Sequence, residues 1–148
     1  MSPALSKLLP RRKRLPLTRS QMMGRVRSRD TRPEIATGAA VHALGIRFRK
    51  HNRNLPGKPD FANSRRRWAI FVHGCFWHSH AECRLASNPK SNQGYWAVKL
   101  LRNQERDKEK IAILRGMGFR VLVIWECDVR NGKLENILKR FFRQSAGK

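Results

Sequence analysis

The chain is short of acid. Ten Asp and Glu stand against 33 Lys and Arg in 148 residues, a formal net charge of +23 and a sequence pI near 11.7. A surface this basic repels itself unless it meets a polyanion, which sets aside cationic partners and favours nucleic acid, where each phosphate contact releases counterions. An acidic membrane surface is the weaker alternative, because no strongly amphipathic basic helix is there to dock on one. Although 40% of residues are hydrophobic, no apolar run approaches the ~18 residues needed to cross a bilayer. The opening "MSPALSKLLPRRKRLPL" lacks the continuous apolar stretch of a signal peptide. A soluble, cytoplasmic protein with no membrane partner is expected. Cysteine is sparse and odd in number (Cys75, Cys83, Cys127), which argues against a disulfide framework. Three thiolates and one histidine would complete a tetrahedral zinc shell, and buried unligated cysteines are the alternative. No internal repeat is present.

The length suits one domain that buries roughly 70% of its unfolded surface. Residues 1–17 read as a basic, flexible arm, broken by Pro3, Pro10 and Pro16 around the charge run "RRKR", able to order on a phosphate backbone. Residues 18–148 read as a single domain. "TRSQMMGRVRSRDT" predicts a short helix capped by Thr18 or Ser20, with Met22, Met23 and Val26 as its apolar patch. "DTRPEIATGAAVHALGI" predicts a second, with Thr31 as cap, Pro33 and Glu34 in the first turn, and Gly45 as its end. Ile35, Ala39, Val41, His42 and Leu44 supply its apolar spacing. "IRFRKH" alternates as a half-buried strand, "DFAN" opens a short one after a turn-rich link, and "RRRWAIFVHG" runs into a third. The long helical stretch "YWAVKLLRNQERDKEKIAILRGMG", the apolar strand "FRVLVIWEC" and the closing helix "KLENILKRFF" complete the order. Trp68 and Trp125 fall inside strands and are expected in the core. The pattern predicts an α/β domain with helices on a central mixed sheet.

The densest chemistry lies in "HGCFWHSHAEC", with three histidines, two cysteines and two adjacent aromatics in residues 73–83. Cys75, His80 and Cys83 are close enough in one loop to share an ion, and Cys127 follows a strand end that can come up beside them. Such a donor set has no open position, so its zinc would be structural. His73 and His78 are left outside that shell. Asp60 opens one strand and His73 ends the next, which puts a carboxylate and an imidazole near one sheet edge. Carboxylate oxygen suits Mg2+ and imidazole can move a proton near neutral pH, though an Asp at a turn can also be a simple cap. Asn103 and Asp107, four apart on the long helix, can face the same site, with solvated helix positions as the alternative.

"LPGKPDF", "FVHGCFWHSHAEC", "YWAVKLLRNQERDKEK" and "FRVLVIWEC", in this order, resemble the very-short-patch mismatch repair endonuclease family, and "TRSQMMGRVRSRDTRPE" is similar to its amino-terminal segment. The likeness covers roughly residues 18 to 130. It implies a fold like that of type II restriction endonucleases, a structural Zn2+ and a catalytic Mg2+. The implied activity nicks one strand of double-stranded DNA on the 5′ side of the thymine in a T·G mismatch left by 5-methylcytosine deamination. By the resemblance Asp60 is the metal-binding carboxylate, and the backbone carbonyl of Val72, where the family's threonine is replaced, is a second Mg2+ ligand. His73 and His78 match the active-site histidines, with His78 as general base, and Glu34 matches an acidic residue on the early helix. Phe76, Trp77 and Trp96 match aromatics that wedge between base pairs beside the mismatch, where unstacking is least costly. Met23 matches a residue reaching into the minor groove.

The expected protein is therefore a Mg2+-dependent, zinc-stabilised DNA mismatch endonuclease. It is expected to be monomeric, since a T·G site has no two-fold axis, with other repair proteins as further possible partners. Two rivals stay open: a restriction or homing-type nuclease of the same fold, and a non-catalytic zinc-containing DNA-binding module.

Overall fold

The computed structural model describes residues 16, 29–87 and 89–144. The basic arm, the short helix expected around Met22 and Val26, and Met23 itself lie outside the described residues.

Helix α1 spans Arg32–Ala43 and starts where its caps dictate. Thr31 accepts the Glu34 N–H through its hydroxyl at 3.4 Å, Pro33 sits in the first turn, and Gly45 follows the end at φ 72°. Its buried face differs from the expected apolar stripe. Ile35 is 55% exposed, Ala39 and His42 are also exposed, and the buried positions are Glu34, Thr37, Gly38 and Val41. Thr37 is tolerated inside because its hydroxyl donates to the Pro33 carbonyl at 2.8 Å. Gly38 lets the Phe61 ring close in: a Cβ there would stand 3.0 Å from Phe61 Cε1.

The sheet has four strands among the described residues, β1 Arg49–Lys50, β2 Phe61–Asn63, β3 Trp68–His73 and β4 Arg120–Trp125, in that spatial order. β1–β2 and β2–β3 pair antiparallel and β3–β4 parallel, so the sheet is mixed. The expected strand over "IRFRKH" shrinks to two exposed residues, while Ile46 and Phe48 still pack on the core ahead of it.

Alternation along β3 and β4 divides the interior in two. Trp68, Ile70 and Ile124 face one side with Val41, Phe61, Leu134, Leu138 and Phe141. Ala69 and Phe71 face the other with Leu55, Leu114, Phe119, Val121 and Val123. The parallel β3–β4 connection is made by α2, Gln93–Gly116, which packs on that second face. β4 stops at Trp125, short of the expected Cys127, because the Asp128 carboxylate accepts the Trp125 N–H at 3.2 Å. The chain turns there into α3, Glu126–Arg130, and closes with α4, Leu134–Arg143, against α1. Cys127 thus sits on a short helix, and Trp125, expected in the core, is only half-buried at the strand end.

Candidate active site and metal centre

The antiparallel β2–β3 pairing carries Asp60, one residue ahead of β2, to the end of the sheet where β3 finishes. Its Oδ2 accepts the Val72 N–H at 2.7 Å. Burial pushes its carboxyl up to about 6, outweighing that hydrogen bond; the nearby Glu34 carboxylate pushes the same way, while His51 and His78 oppose. Glu34 reaches the site from α1, only 7% exposed, with Oε2 accepting the Asp30 N–H at 2.9 Å.

His73 ends β3 at 5% exposure. Burial lowers its imidazole to about 4, with His78 adding to the drop and Asp107 opposing it, so the ring is neutral at neutral pH. His78 lies flat on it, centroids 3.8 Å apart and planes 5° from parallel. His78 Nδ1 bonds the Asp107 carboxylate of α2. A carboxylate on Nδ1 leaves Nε2 as the nitrogen available for chemistry. One turn earlier on α2, Asn103 donates to the Trp77 carbonyl at 3.2 Å, and Gln104 donates to the Ser79 carbonyl at 3.2 Å. The helix therefore clasps the loop from both sides of His78. Glu34, Asp60, Val72, His73, His78, Asn103 and Asp107 all line one groove of about 990 Å3, whose walls also carry Arg53, Lys58, Arg106 and Lys110.

Beside this groove, one donor atom each from Cys75, His80, Cys83 and Cys127 lie within 4.8 Å of one another. His80 Nδ1 is 3.6 Å from the Cys75 sulfur and 3.3 Å from the Cys127 sulfur. The Cys127 N–H points to the Cys75 sulfur at 3.4 Å. Successive turns fold the loop onto itself, with His80 N–H donating to the Cys75 carbonyl at 2.9 Å. Burial pushes the Cys75 thiol up to about 12, so a thiolate there needs compensating positive charge, which a dication supplies. Three sulfurs and one imidazole nitrogen, with no fifth donor among the described residues, fit a four-coordinate structural metal.

Two aromatics of the same loop, Phe76 and Trp77, gather with Trp96 from the first turn of α2. Phe76 and Trp77 are half-buried and Trp96 is 8% exposed. Their centroids lie 5.2 Å (Phe76–Trp77), 5.5 Å (Phe76–Trp96) and 5.9 Å (Trp77–Trp96) apart. The Lys99 ammonium stands over them, 5.5 Å from Trp77, 5.4 Å from Trp96 and 5.7 Å from Tyr95. Sequence reasoning passed over Tyr95 and Lys99, although their spacing of four on a helix beside Trp96 is a readable signal. It also passed over the basic groove walls and the role of Trp125, which lies between His73 and His80.

The family model for DNA mismatch endonuclease Vsr matches residues 13–85, a stretch that includes Glu34, Asp60, His73 and His78. The type II nicking enzyme V.XorIIP of Xanthomonas oryzae pv. oryzae is 44% identical over 128 residues, 83% of this chain and 93% of its own. The type II nicking enzyme V.NmeAIP of Neisseria meningitidis is 38% identical over 113 residues, 76% of this chain and 80% of its own. The DNA mismatch endonuclease Vsr of Escherichia coli is 41% identical over 113 residues, 76% of this chain and 72% of its own. Likeness of this degree, over most of both chains, shows that the chain belongs to the Vsr family of DNA mismatch endonucleases.

Proposed function

We propose that this chain nicks one strand of double-stranded DNA on the 5′ side of the thymine in a T·G mismatch. The observation that carries the reading is the convergence of Asp60, the stacked His73–His78 pair and Asp107 in one groove with cationic walls. Asp60 and the Val72 carbonyl would hold Mg2+, which when bound neutralises phosphate charge and makes water more acidic. His78 Nε2 takes the proton of the attacking water, and Asp107 stabilises the imidazolium that forms. His73, neutral because it is buried, keeps the His78 ring in plane and can donate one N–H to a phosphate oxygen. Glu34 adds negative charge behind the Asp60 cation site.

Cys75, His80, Cys83 and Cys127 would hold Zn2+, which would fix the loop that carries His78, Phe76 and Trp77. Phe76 and Trp77 enter the base stack at the mismatch, where pairing is already weak, braced from behind by Trp96 of α2, with Met23 as the minor-groove contact. The mixed sheet flanked by helices suits the type II restriction endonuclease plan, and residues 18–148 act as one monomeric domain. The asymmetric site needs no second copy.

The test is a nicking assay with purified protein and Mg2+ on duplexes that differ only in one T·G pair. Nicking confined to the mismatched duplex, 5′ of the thymine, supports the reading. Cleavage of matched duplex at a fixed sequence favours a restriction-type enzyme. Binding without any nick points to a DNA-binding module.

A further inference from the structure

Trp125 closes β4, and its partner across the parallel ladder is His73. Both continue the stripe of their strands that faces α2, after Val121 and Val123 on one and Ala69 and Phe71 on the other. Their rings meet edge to face, centroids 5.3 Å apart at 78°. The indole also lies flat against His80, at 4.0 Å and 7°. His73 in turn lies flat against His78. Four rings thus form one column, His78, His73, Trp125, His80, reaching from the active-site groove to the cluster of metal-ligating side chains.

Hydrogen bonds do not orient the middle of this column. Among the described residues the His73 side chain makes none: the rings of Phe71, His78 and Trp125 pack on it, and the Asp107 carboxylate, within 4.8 Å, is bonded to His78. His80 directs Nδ1 at two sulfurs, and the indole covers its ring face. We propose that Trp125 is a positioning residue that fixes the edge of His73 and the plane of His80 together, so that the loop between them presents His78 in one orientation. The catalytic half of this inference rests on the function proposed above for His73 and His78; the metal-site half does not.

The test compares Trp125→Leu, which fills the space without a ring, with Trp125→Phe, which restores one. Three quantities are read on the zinc-loaded protein: single-turnover nicking of T·G duplex with Mg2+, binding to that duplex with Ca2+ instead, and melting temperature. The visible spectrum is read on protein with Co2+ in the zinc site. Misplacing a reacting group by about 1 Å costs on the order of 100-fold. Trp125→Leu should slow nicking by about that factor while duplex affinity changes by less than about threefold. Trp125→Phe should recover all but about tenfold of the rate. The Co2+ bands should shift in Trp125→Leu and return in Trp125→Phe.

Parental nicking by Trp125→Leu, or a loss of affinity as large as the loss of rate, overturns the catalytic half, as does a Trp125→Phe no faster than Trp125→Leu. An unshifted Co2+ spectrum in Trp125→Leu overturns the metal-site half. Should Trp125→Leu not fold, Trp125→Met makes the same comparison. A parent that fails to nick T·G duplex refutes the proposed function, and the Co2+ spectra still decide whether Trp125 positions His80.

Discussion

His78 and Asp107 stand 29 residues apart in sequence and are joined Nδ1 to Oδ2. The contact locks a loop histidine to a rigid 24-residue helix. It also sets which nitrogen carries the proton, since an acceptor on Nδ1 holds the hydrogen there and frees Nε2. Asp107→Asn keeps the size but loses the charge that steadies an imidazolium, and its amide can turn to donate and impose the wrong tautomer. Nicking of T·G duplex should fall by about 100- to 10,000-fold. Binding to the same duplex with Ca2+ should stay within about threefold. A rate loss below tenfold would leave Asp107 a loop clasp only.

Asp60 and His73 pull stability in opposite directions with pH. Burial holds the Asp60 carboxyl at about 6 against an ordinary 3.8, so between those values the folded chain keeps a proton the unfolded chain has lost. Stability from this group therefore falls as pH rises through that window. His73 sits at about 4 against an ordinary 6.5, so the unfolded chain binds the extra proton and stability rises with pH. The two slopes largely cancel in the parent. Asp60→Asn removes the first and leaves the second, and Asn can still accept the Val72 N–H. Without added Mg2+ the variant should gain stability from pH 4 to 6.5 and exceed the parent at pH 7.5 by on the order of 2 kcal/mol. Denaturant unfolding across that range checks it, and parallel curves for the two proteins would sink it. The variant should not nick.

What could be read beforehand follows how local each cause is. The start of α1 was legible because Thr31 and Glu34 form a cap within one turn. Its buried face was not, because Thr37 is satisfied by a carbonyl and Gly38 is covered by Phe61, a contact from another element. The gathering of Cys75, His80, Cys83 and Cys127 was legible from residue type and loop spacing, with Cys127 placed by the strand before it, even though the strand stops two residues early. Trp125 was misplaced because an apolar run does not say which residue lies opposite which in a parallel ladder. Once His73 is its neighbour, the strand end belongs to the site. Asp107 was visible as a partner for Asn103 on one helix face, but its bond to His78 depends on how the loop folds over that helix.

The metal cluster should hold one zinc per chain through dialysis against a mild chelator, measured by elemental analysis. Cys127→Ser should lose that zinc and melt well below the parent, because metal affinity of the folded site is folding free energy. Its residual nicking per folded molecule should fall less than in Asp107→Asn, since no cysteine is among the described residues that line the groove. A folded, fully active protein free of zinc would remove the centre from the account.

The aromatic group separates anchor from wedge. Trp96 is 8% exposed, so Trp96→Ala should leave a cavity and cost ~3–5 kcal/mol, roughly 10 °C in melting temperature at this size. Trp77 is half-buried and rests edge-on against Phe76 and at a tilt to Trp96, under Lys99. It does not project freely, so Trp77→Ala should lower the melting temperature by a modest ~2–4 °C. Its larger effect should be on DNA. Stacking of an aromatic on a base is worth roughly 1–3 kcal/mol, so affinity for T·G duplex should weaken by about ten- to a hundredfold, with little change for matched duplex. Equal weakening for both duplexes would make Trp77 a general contact. A melting loss as large as that of Trp96→Ala, with unchanged T·G discrimination in the folded fraction, would place Trp77 in the core and leave the mismatch to be sensed elsewhere in the groove.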